Sequence, residues 1–399
     1  MHKRYWHITI EYTILVNMDD KFPKDENSAK ADFEVSPEAE LRGGAVNWHP
    51  DKFLGGSSER PKWENGVRKS VEVNGREWSY LEYGNPEGKP ILIVHGWLGS
   101  SAEGQDHLSR AFAGEPQHSP GAQALSEHHD ANRPDKPVAR IIENRVRKLE
   151  GKYHIIAPDL PGFGKTEALD NISLNLMADE IAAFQKALKV ENSVAFGSSM
   201  GGILVTKLAA RHPEQVSAVV LQGTMTQPKD MQRMPYIAAQ VATFGPIPDV
   251  LRASGFDKKL FALIVKGSKD FKIADTETQE RIFSDTMAAD SKTAATTLRE
   301  IGKNIEEDIE KVKCPVIVID GANADLVPIG NSAKASMRFH PNIQEPSKKF
   351  TERQVMFFPV GGGVSEQGHN VVNTYPEYVA VVVDDVLDKM TRQDQKPTV

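Results

Sequence analysis

Short, unbroken apolar runs recur along this chain, and helix-spaced segments fill most of the gaps between them. The runs are residues 90–94, 153–158, 194–196, 218–221, 316–319 and 355–358. A half-exposed strand alternates apolar and polar residues, whereas a continuous apolar run suits a parallel strand covered on both faces. Residues 203–210 and 377–390 show helical spacing. Strands alternating with helices predict an α/β fold, with a mostly parallel central sheet flanked by helices and right-handed connections. Before the first run, residues 71–73 and 77–83 flank Asn74-Gly75. Asn-Gly between alternating runs predicts a tight hairpin.

The same pattern divides the chain. Residues 1–65 form an N-terminal extension; from Lys21 to Trp63 it is rich in Lys, Glu, Asp, Ser, Pro and Gly without a sustained period, so it is expected to be poorly ordered. Residues 66–223 and 314–399 are expected to form the α/β core. Within it, residues 103–137 are polar and hold His107, His118, His128 and His129. They contain no i, i+4 histidine pair and no cysteine partner, so they predict a solvated surface insertion and no metal site. Residues 224–313 lie between two sheet strands and carry helical stretches at 248–252, 260–266, 278–287 and 293–303. They predict a helical cap over the carboxyl edge of the sheet, where ligands bind in open α/β sheets. Met231, Met234, Phe244, Leu260, Phe261 and Ile264 either line a pocket beneath the cap or simply pack it.

Composition narrows the class. The 399 residues are 39% hydrophobic and 26% charged, as in a soluble globular protein. A net charge of -7 and the lack of a long basic stripe argue against a nucleic-acid partner. The single cysteine, Cys314, excludes an intrachain disulfide framework and reads as a small buried apolar residue. No apolar run approaches the length of about 18 residues that a membrane span needs, so no stable membrane insertion is expected. His2-Lys3-Arg4 precedes a partly apolar stretch. Glu11 interrupts that stretch, and no small-residue cleavage site follows before Asp19. This reads as non-targeting and makes a cytoplasmic location the default expectation.

The chemistry concentrates at Gly197-Ser198-Ser199-Met200-Gly201-Gly202, a G-x-S-x-G pattern between a predicted strand and a predicted helix. Such a turn is sharp, and it holds the Ser199 hydroxyl clear of the backbone. Gly197 and Gly201 avoid collisions with neighbouring elements. Ser198 is the poorer nucleophile, because the bulky Phe196 stands two residues before it. A serine hydroxyl needs a base, a group that orients the base, and donors for the developing oxyanion. His369 follows the last predicted strand and precedes a helix, and it is the expected base; His340 is the runner-up. Asp325, in the loop after run 316–319, is the expected acid. Asp320 is the alternative, and its simpler role is to form a turn before Gly321. The expected oxyanion donors are two backbone N–H groups. One is Met200, at the start of the helix, and the other is Trp97, in the turn His95-Gly96-Trp97. His95 itself is read as structural.

Taken together, these motifs resemble the α/β-hydrolase fold superfamily from about Val67 onward, less the insertion. The order is the family's: His95-Gly96-Trp97, then Asp159-Leu160-Pro161-Gly162-Phe163-Gly164, then the serine turn, the late acid and the late histidine. The Asp159–Gly164 turn is mainly structural in that family. One departure touches the acid, because Ala324 occupies the family's usual position and Asp325 comes one residue later. The resemblance implies a serine hydrolase of the esterase, lipase or lactonase kind. It would act on a small-molecule ester or lactone through an acyl-enzyme, with water as acceptor and no cofactor. Two alternatives remain: a carbon–carbon bond hydrolase of ring-fission diketones, and a non-catalytic ligand-binding protein on the same fold.

Overall fold

The computed structural model describes residues 65–102, 105–117, 119, 138–227, 230, 256–268, 271–272, 276–321, 355–360 and 371–394. The chain divides into Met1–Lys62 and Trp63–Val399, and every described residue belongs to the second unit. The expected extension up to Glu64, and residues 120–137 of the expected insertion, lie outside the described residues.

Eight strands form one sheet in the order β1-β2-β4-β3-β5-β6-β7-β8. β1 (Val67–Val73) and β2 (Arg76–Gly84) make the hairpin, and β2 runs antiparallel to β4. β3 (Lys89–Val94), β4 (Tyr153–Pro158), β5 (Ser193–Ser198), β6 (Val216–Gln222), β7 (Val316–Gly321) and β8 (Val355–Val360) are mutually parallel. Each apolar run in the sequence became one of these parallel strands. In the hairpin turn, Asn74 has φ 50° and Gly75 φ 78°. Two positive φ values are what a two-residue turn needs to match the twist of its strands.

The continuous apolar runs have a packing reason. In β3, Leu92 and Val94 face one core cluster, while Ile91 and Ile93 face another. β5 and β7 split the same way, with Ala195, Val316 and Val318 on one side and Val194, Phe196, Ile317 and Ile319 on the other. Helices α3 (Leu174–Leu188) and α4 (Met200–Arg211) cover the first face through Ile181, Phe184, Ile203 and Leu208. Helix α1 (Gln105–Phe112) and the C-terminal helix α10 (Pro376–Asp394) cover the second through Leu108, Phe112, Val379 and Val383. Helices α2 (Val138–Arg147) and α9 (Val371–Thr374) complete this side. With no water-facing side, the central runs of these strands carry no polar residue at either parity.

Helix α1 corrects one expectation. It falls inside the segment read as a surface insertion, yet Leu108, Ala111 and Phe112 are buried in the core. The pattern misled because the buried face also carries Gln105, Asp106 and Ser109. Asp106 accepts hydrogen bonds from the Tyr83 hydroxyl at 2.7 Å and the Asn65 amide at 2.9 Å, so a carboxylate is tolerated inside. Beyond the helix, the buried Glu377 carboxylate accepts from the backbone N–H groups of Gln117 and Ser119, both at 3.1 Å. Residues 105–112 are therefore core, not insertion.

Between β6 and β7 lie helices α5 (Phe256–Gly267), α6 (Thr276–Ala288), α7 (Ser291–Ile301) and α8 (Glu306–Lys311). Three of the four expected helical stretches appear there, and 248–252 lies outside the described residues. Asp290 caps α7 by accepting from Thr293 N–H at 2.7 Å. Its own N–H reaches the Gly162 carbonyl at 2.7 Å, which seats α7 on the turn after β4. Among the described residues, no helix is long and apolar enough to cross a membrane.

The hairpin turn supplies a test. A Cβ at position 75 would meet nothing within 4 Å, so only the left-handed backbone opposes a side chain there. Gly75→Ala should therefore cost about 1 kcal/mol, read as a lower urea midpoint with an unchanged m-value.

Candidate active site

Ser199 stands between the last residue of β5 and the first of α4, with φ 51° and ψ −114°. Residues other than glycine rarely adopt that backbone, and it costs about 1–3 kcal/mol. Its neighbours impose it. Ser199 N–H donates to the Gln222 carbonyl on β6 at 2.7 Å, while its own carbonyl accepts from Gly202 at 3.0 Å and starts the helix. A serine at this helical position ordinarily caps the helix with its hydroxyl. Here the side chain makes no cap hydrogen bond and is only half buried. Ser198, by contrast, is buried at the strand end.

Three glycines make the turn possible. A Cβ at Gly197 would lie 2.5 Å from the Gly202 nitrogen, and one at Gly201 would lie 2.7 Å from the His95 carbonyl oxygen. Both collisions match the sequence reading. Gly202 was not singled out there, yet a Cβ on it would come within 2.8 Å of Thr224 Cβ. The signal was available as the third glycine of the motif, but its partner on the far side of β6 was not.

The turn after β3 meets this serine. A Cβ placed on Gly96 would lie 3.4 Å from both the Ser198 carbonyl oxygen and Ser199 Cβ. Gly99 N–H closes the turn on the Gly96 carbonyl at 3.2 Å, with Leu98 at φ 62°. Trp97 lies within it. Its indole N–H donates to the Ala294 carbonyl at 2.9 Å, and its ring meets Phe261 edge-on at 5.6 Å. Met200 opens α4, where the first N–H groups lack intrahelical partners and the dipole favours negative charge.

His95 is wholly buried and acts as a brace. Its Nε2 accepts from Leu160 N–H at 3.1 Å, so the proton sits on Nδ1, which donates to the Gly96 carbonyl at 2.8 Å. Burial pushes its pKa below the ordinary histidine value, only partly offset by the Gly96 hydrogen bond and the Asp159 charge. Asp159 is equally committed: it accepts from Ser101 N–H at 2.8 Å, from Arg68 at 3.0 Å and from Lys165 N–H at 3.0 Å. Arg68 also donates to Ser79 at 2.6 Å and to the Ser101 hydroxyl at 3.2 Å. The structural reading of His95 and of the 159–164 turn fits these bonds.

Asp325, His369 and His340 lie outside the described residues. The described strands give only the residues that flank them in the chain. Ser198 is in register with Gln222, Gln222 with Ile319, and Ile319 with Phe358, so the four strand ends share one edge. Asp325 follows Gly321, the end of β7, by four residues, and His369 precedes Val371, the start of α9, by two. Asp320 is buried and its carboxylate accepts from Gly223 N–H, in a turn with Gly223 at φ 59°. Asp320 and Gly321 both lie within β7, so Asp320 forms no turn before Gly321; one of its carboxylate oxygens holds the turn after β6 instead. Two other histidines are engaged elsewhere, His212 with Asp179 and His154 with Glu82, both at 2.8 Å.

Two outcomes follow. Ser199→Gly relieves the disfavoured backbone and should raise stability by about 1 kcal/mol in urea unfolding, a gain that Ser199→Ala does not share. For His95, the folded pKa is depressed, so the unfolded chain takes up its proton first as pH falls. The stability this histidine contributes is present above the unfolded value of about 6.5 and is lost as pH drops below it. Unfolding free energy should fall between pH 7.5 and pH 5.5, and His95→Asn should flatten that fall. Asp179 and Glu82, whose pKa values are lowered by Arg211 and, against burial, by Lys69, add their loss only below the ordinary carboxylate range.

Comparison with known proteins agrees with this geometry. Residues 89–244 match the family model described as the alpha/beta hydrolase fold. An uncharacterized hydrolase of Saccharomyces cerevisiae is 31% identical over 87 residues, 21% of this chain and 30% of its own length. The 2-hydroxy-6-oxo-6-(2'-aminophenyl)hexa-2,4-dienoic acid hydrolase of Metapseudomonas resinovorans is 24% identical over 277 residues, 67% of this chain and 78% of that one. The matches thus span from under a third to over three quarters of these relatives. A malate-bound thermophilic esterase from Thermogutta terrifontis superposes with a TM-score of 0.54 at 17% identity, covering 81% of this chain and 98% of the other. Joined to the sheet order and the strained serine turn, these matches show that the chain has the α/β-hydrolase fold, with residues 89–244 matching that family's model.

Proposed function

We propose that this chain is a serine hydrolase that cleaves carboxylic esters or lactones through an acyl-enzyme on Ser199. The observation that carries the reading is the Ser199 backbone, held in a disfavoured conformation with its hydroxyl withheld from the helix cap and the Gly96-Trp97 turn packed against it. Strain of this kind persists where a side chain has to be presented for chemistry.

In this mechanism His369 takes the Ser199 proton as Oγ bonds to the acyl carbon. Asp325 holds the imidazole in the required tautomer and stabilises the imidazolium. The carbonyl oxygen becomes an oxyanion and accepts hydrogen bonds from the Trp97 and Met200 N–H groups. Collapse expels the alcohol, which receives the proton from His369. Water then repeats the sequence and releases the acid. Helices α5 to α8 serve as a cap over the site, and their contacts with the turns after β3 and β4 support that role. Asp325 is preferred to Asp320 because Asp320 lies within β7, where one oxygen of its carboxylate accepts from Gly223 N–H.

A second reading has its own support. The Metapseudomonas resinovorans relative, which matches over 67% of this chain, is named as a hydrolase of a 2-hydroxy-6-oxo-dienoic acid. Cleavage of a carbon–carbon bond in such a diketone uses the same serine and oxyanion site.

The test is a p-nitrophenyl ester series from acetyl to palmitoyl, with wild type, Ser199→Ala, Asp325→Asn and Asp320→Asn. Wild type should turn over esters best at one chain length and should react with a fluorophosphonate probe. Ser199→Ala should lose at least about 10⁴-fold in kcat. Asp325→Asn should lose far more than Asp320→Asn. Folded wild type that cleaves only ring-fission diketones moves the reaction to the second reading. Wild type that cleaves neither class and resists the probe sinks the enzyme reading in favour of a binding protein.

A further inference from the structure

We propose that Asp285, with Arg281 and the Ala294 carbonyl, positions the turn that carries the Trp97 amide. The anion site beside Ser199 is then complete only while helices α6 and α7 are seated on that turn. The catalytic consequence rests on the serine-hydrolase reading above; the positioning does not.

The segment from Trp97 to Ala102 is held from two sides. On the sheet side it is fastened at Ser101, by the Asp159 carboxylate at 2.8 Å and Arg68 at 3.2 Å. On the other side, three bonds run to helices that lie far along the chain. Trp97 Nε1–H donates to the Ala294 carbonyl at 2.9 Å, Ser100 Oγ–H donates to Asp285 Oδ2 at 2.7 Å, and Arg281 Nη1 donates to the Ala102 carbonyl at 3.1 Å. Arg281 also lies 3.7 Å from the buried Asp106 of α1. Arg281 and Asp285 are four residues apart, so one face of α6 grips both Ser100 and Ala102.

Burial gives these bonds weight. Ser100 is 2% exposed, Arg281 3% and Asp285 5%. Polar groups this far from water are costly to leave unmade, so breaking one contact disturbs the others. The turn itself supplies the reason a clamp is needed. Leu98, with φ 62°, is held in a left-handed conformation that a branched apolar residue leaves unless its surroundings prevent it. If Leu98 relaxes, the turn that Gly99 N–H closes on the Gly96 carbonyl reorganises, and the Trp97 N–H proposed to serve the oxyanion shifts with it. Asp285 and Arg281 are thus positioning residues, acting through Ser100 and Ala102.

The experiment uses the full chain and two substitutions, Asp285→Ala and Asp285→Asn; the asparagine amide oxygen still accepts from Ser100. Three readouts are taken: kcat and KM for the ester that wild type cleaves best, the rate of fluorophosphonate labelling, and backbone hydrogen exchange across residues 96–102. Asp285→Ala should lower kcat and labelling about 10- to 100-fold with KM within about twofold, while Asp285→Asn stays within about threefold of wild type. Exchange should rise in 96–102 for Asp285→Ala and not across the strands. Unchanged kcat and unchanged loop exchange in Asp285→Ala overturn the proposal, as does an asparagine variant as impaired as the alanine one. If Asp285→Ala does not fold, Ser100→Ala removes the same hydrogen bond from the other partner and is read identically. If wild type neither turns over esters nor reacts with the probe, the serine-hydrolase reading fails. Loop exchange alone then decides whether Asp285 holds the turn.

Discussion

The backbone of Ser199 is the constraint around which the rest of the site is arranged. Its conformation costs about 1–3 kcal/mol, and nothing local to the residue repays that cost. The compensation comes from α4, whose Met200, Ile203, Leu204, Val205 and Leu208 are all fully buried. Each such side chain contributes about 1.5–3 kcal/mol on leaving water, so the helix easily outweighs the strained residue that starts it. The geometry then propagates. For β5 and α4 to meet at this angle, glycine is required at 197, 201 and 202, because the backbone of α4, the backbone at the end of β3 and the Thr224 side chain occupy the space that side chains would need.

Around this turn lies a polar scaffold that does no chemistry of its own. His95, Asp159, Arg68, Ser79 and Ser101 connect β1, β2, the turn after β3 and the turn after β4 in one network. A buried ion pair such as Arg68 with Asp159 adds little net stability, since desolvation offsets much of its attraction. Its value lies in specifying one arrangement, because a buried carboxylate left without its donors is far costlier than the pair is favourable. The neutral His95 extends the same logic. One ring nitrogen accepts from the 159–164 turn and the other donates to the Gly96 carbonyl, so two loops that lie far apart in sequence share one rigid group.

The element pattern was legible because burial on both faces of a parallel strand leaves a signature that no neighbouring residue can disguise. All six apolar runs became strands, and Asn74-Gly75 became the hairpin turn. Helix α1 escaped because its inward face mixes Leu108 and Phe112 with Gln105, Asp106 and Ser109. A helix that buries a carboxylate looks like surface until its partners are known. Those partners, Tyr83 and Arg281, lie 23 and 175 positions away in numbering. The serine turn was legible for a different reason. Its glycines and its place between strand and helix are local facts, and a sharp turn has few chemical solutions.

The sequence by itself determined the strand inventory, the place of Ser199 between strand and helix, and the tight turn at residues 95–97, since each follows from contiguous residues and their backbone preferences. Tertiary structure decided what holds those parts in place. It set Gly202 against Thr224, made a brace of His95, joined one Asp320 oxygen to Gly223 N–H, and brought Asp285 and Ala294 onto the turn after β3. The physical reason is separation along the chain. A hydrogen bond between residues 185 or 197 positions apart leaves no periodicity to read, and only the packing of helices on the sheet edge brings such partners within 3 Å.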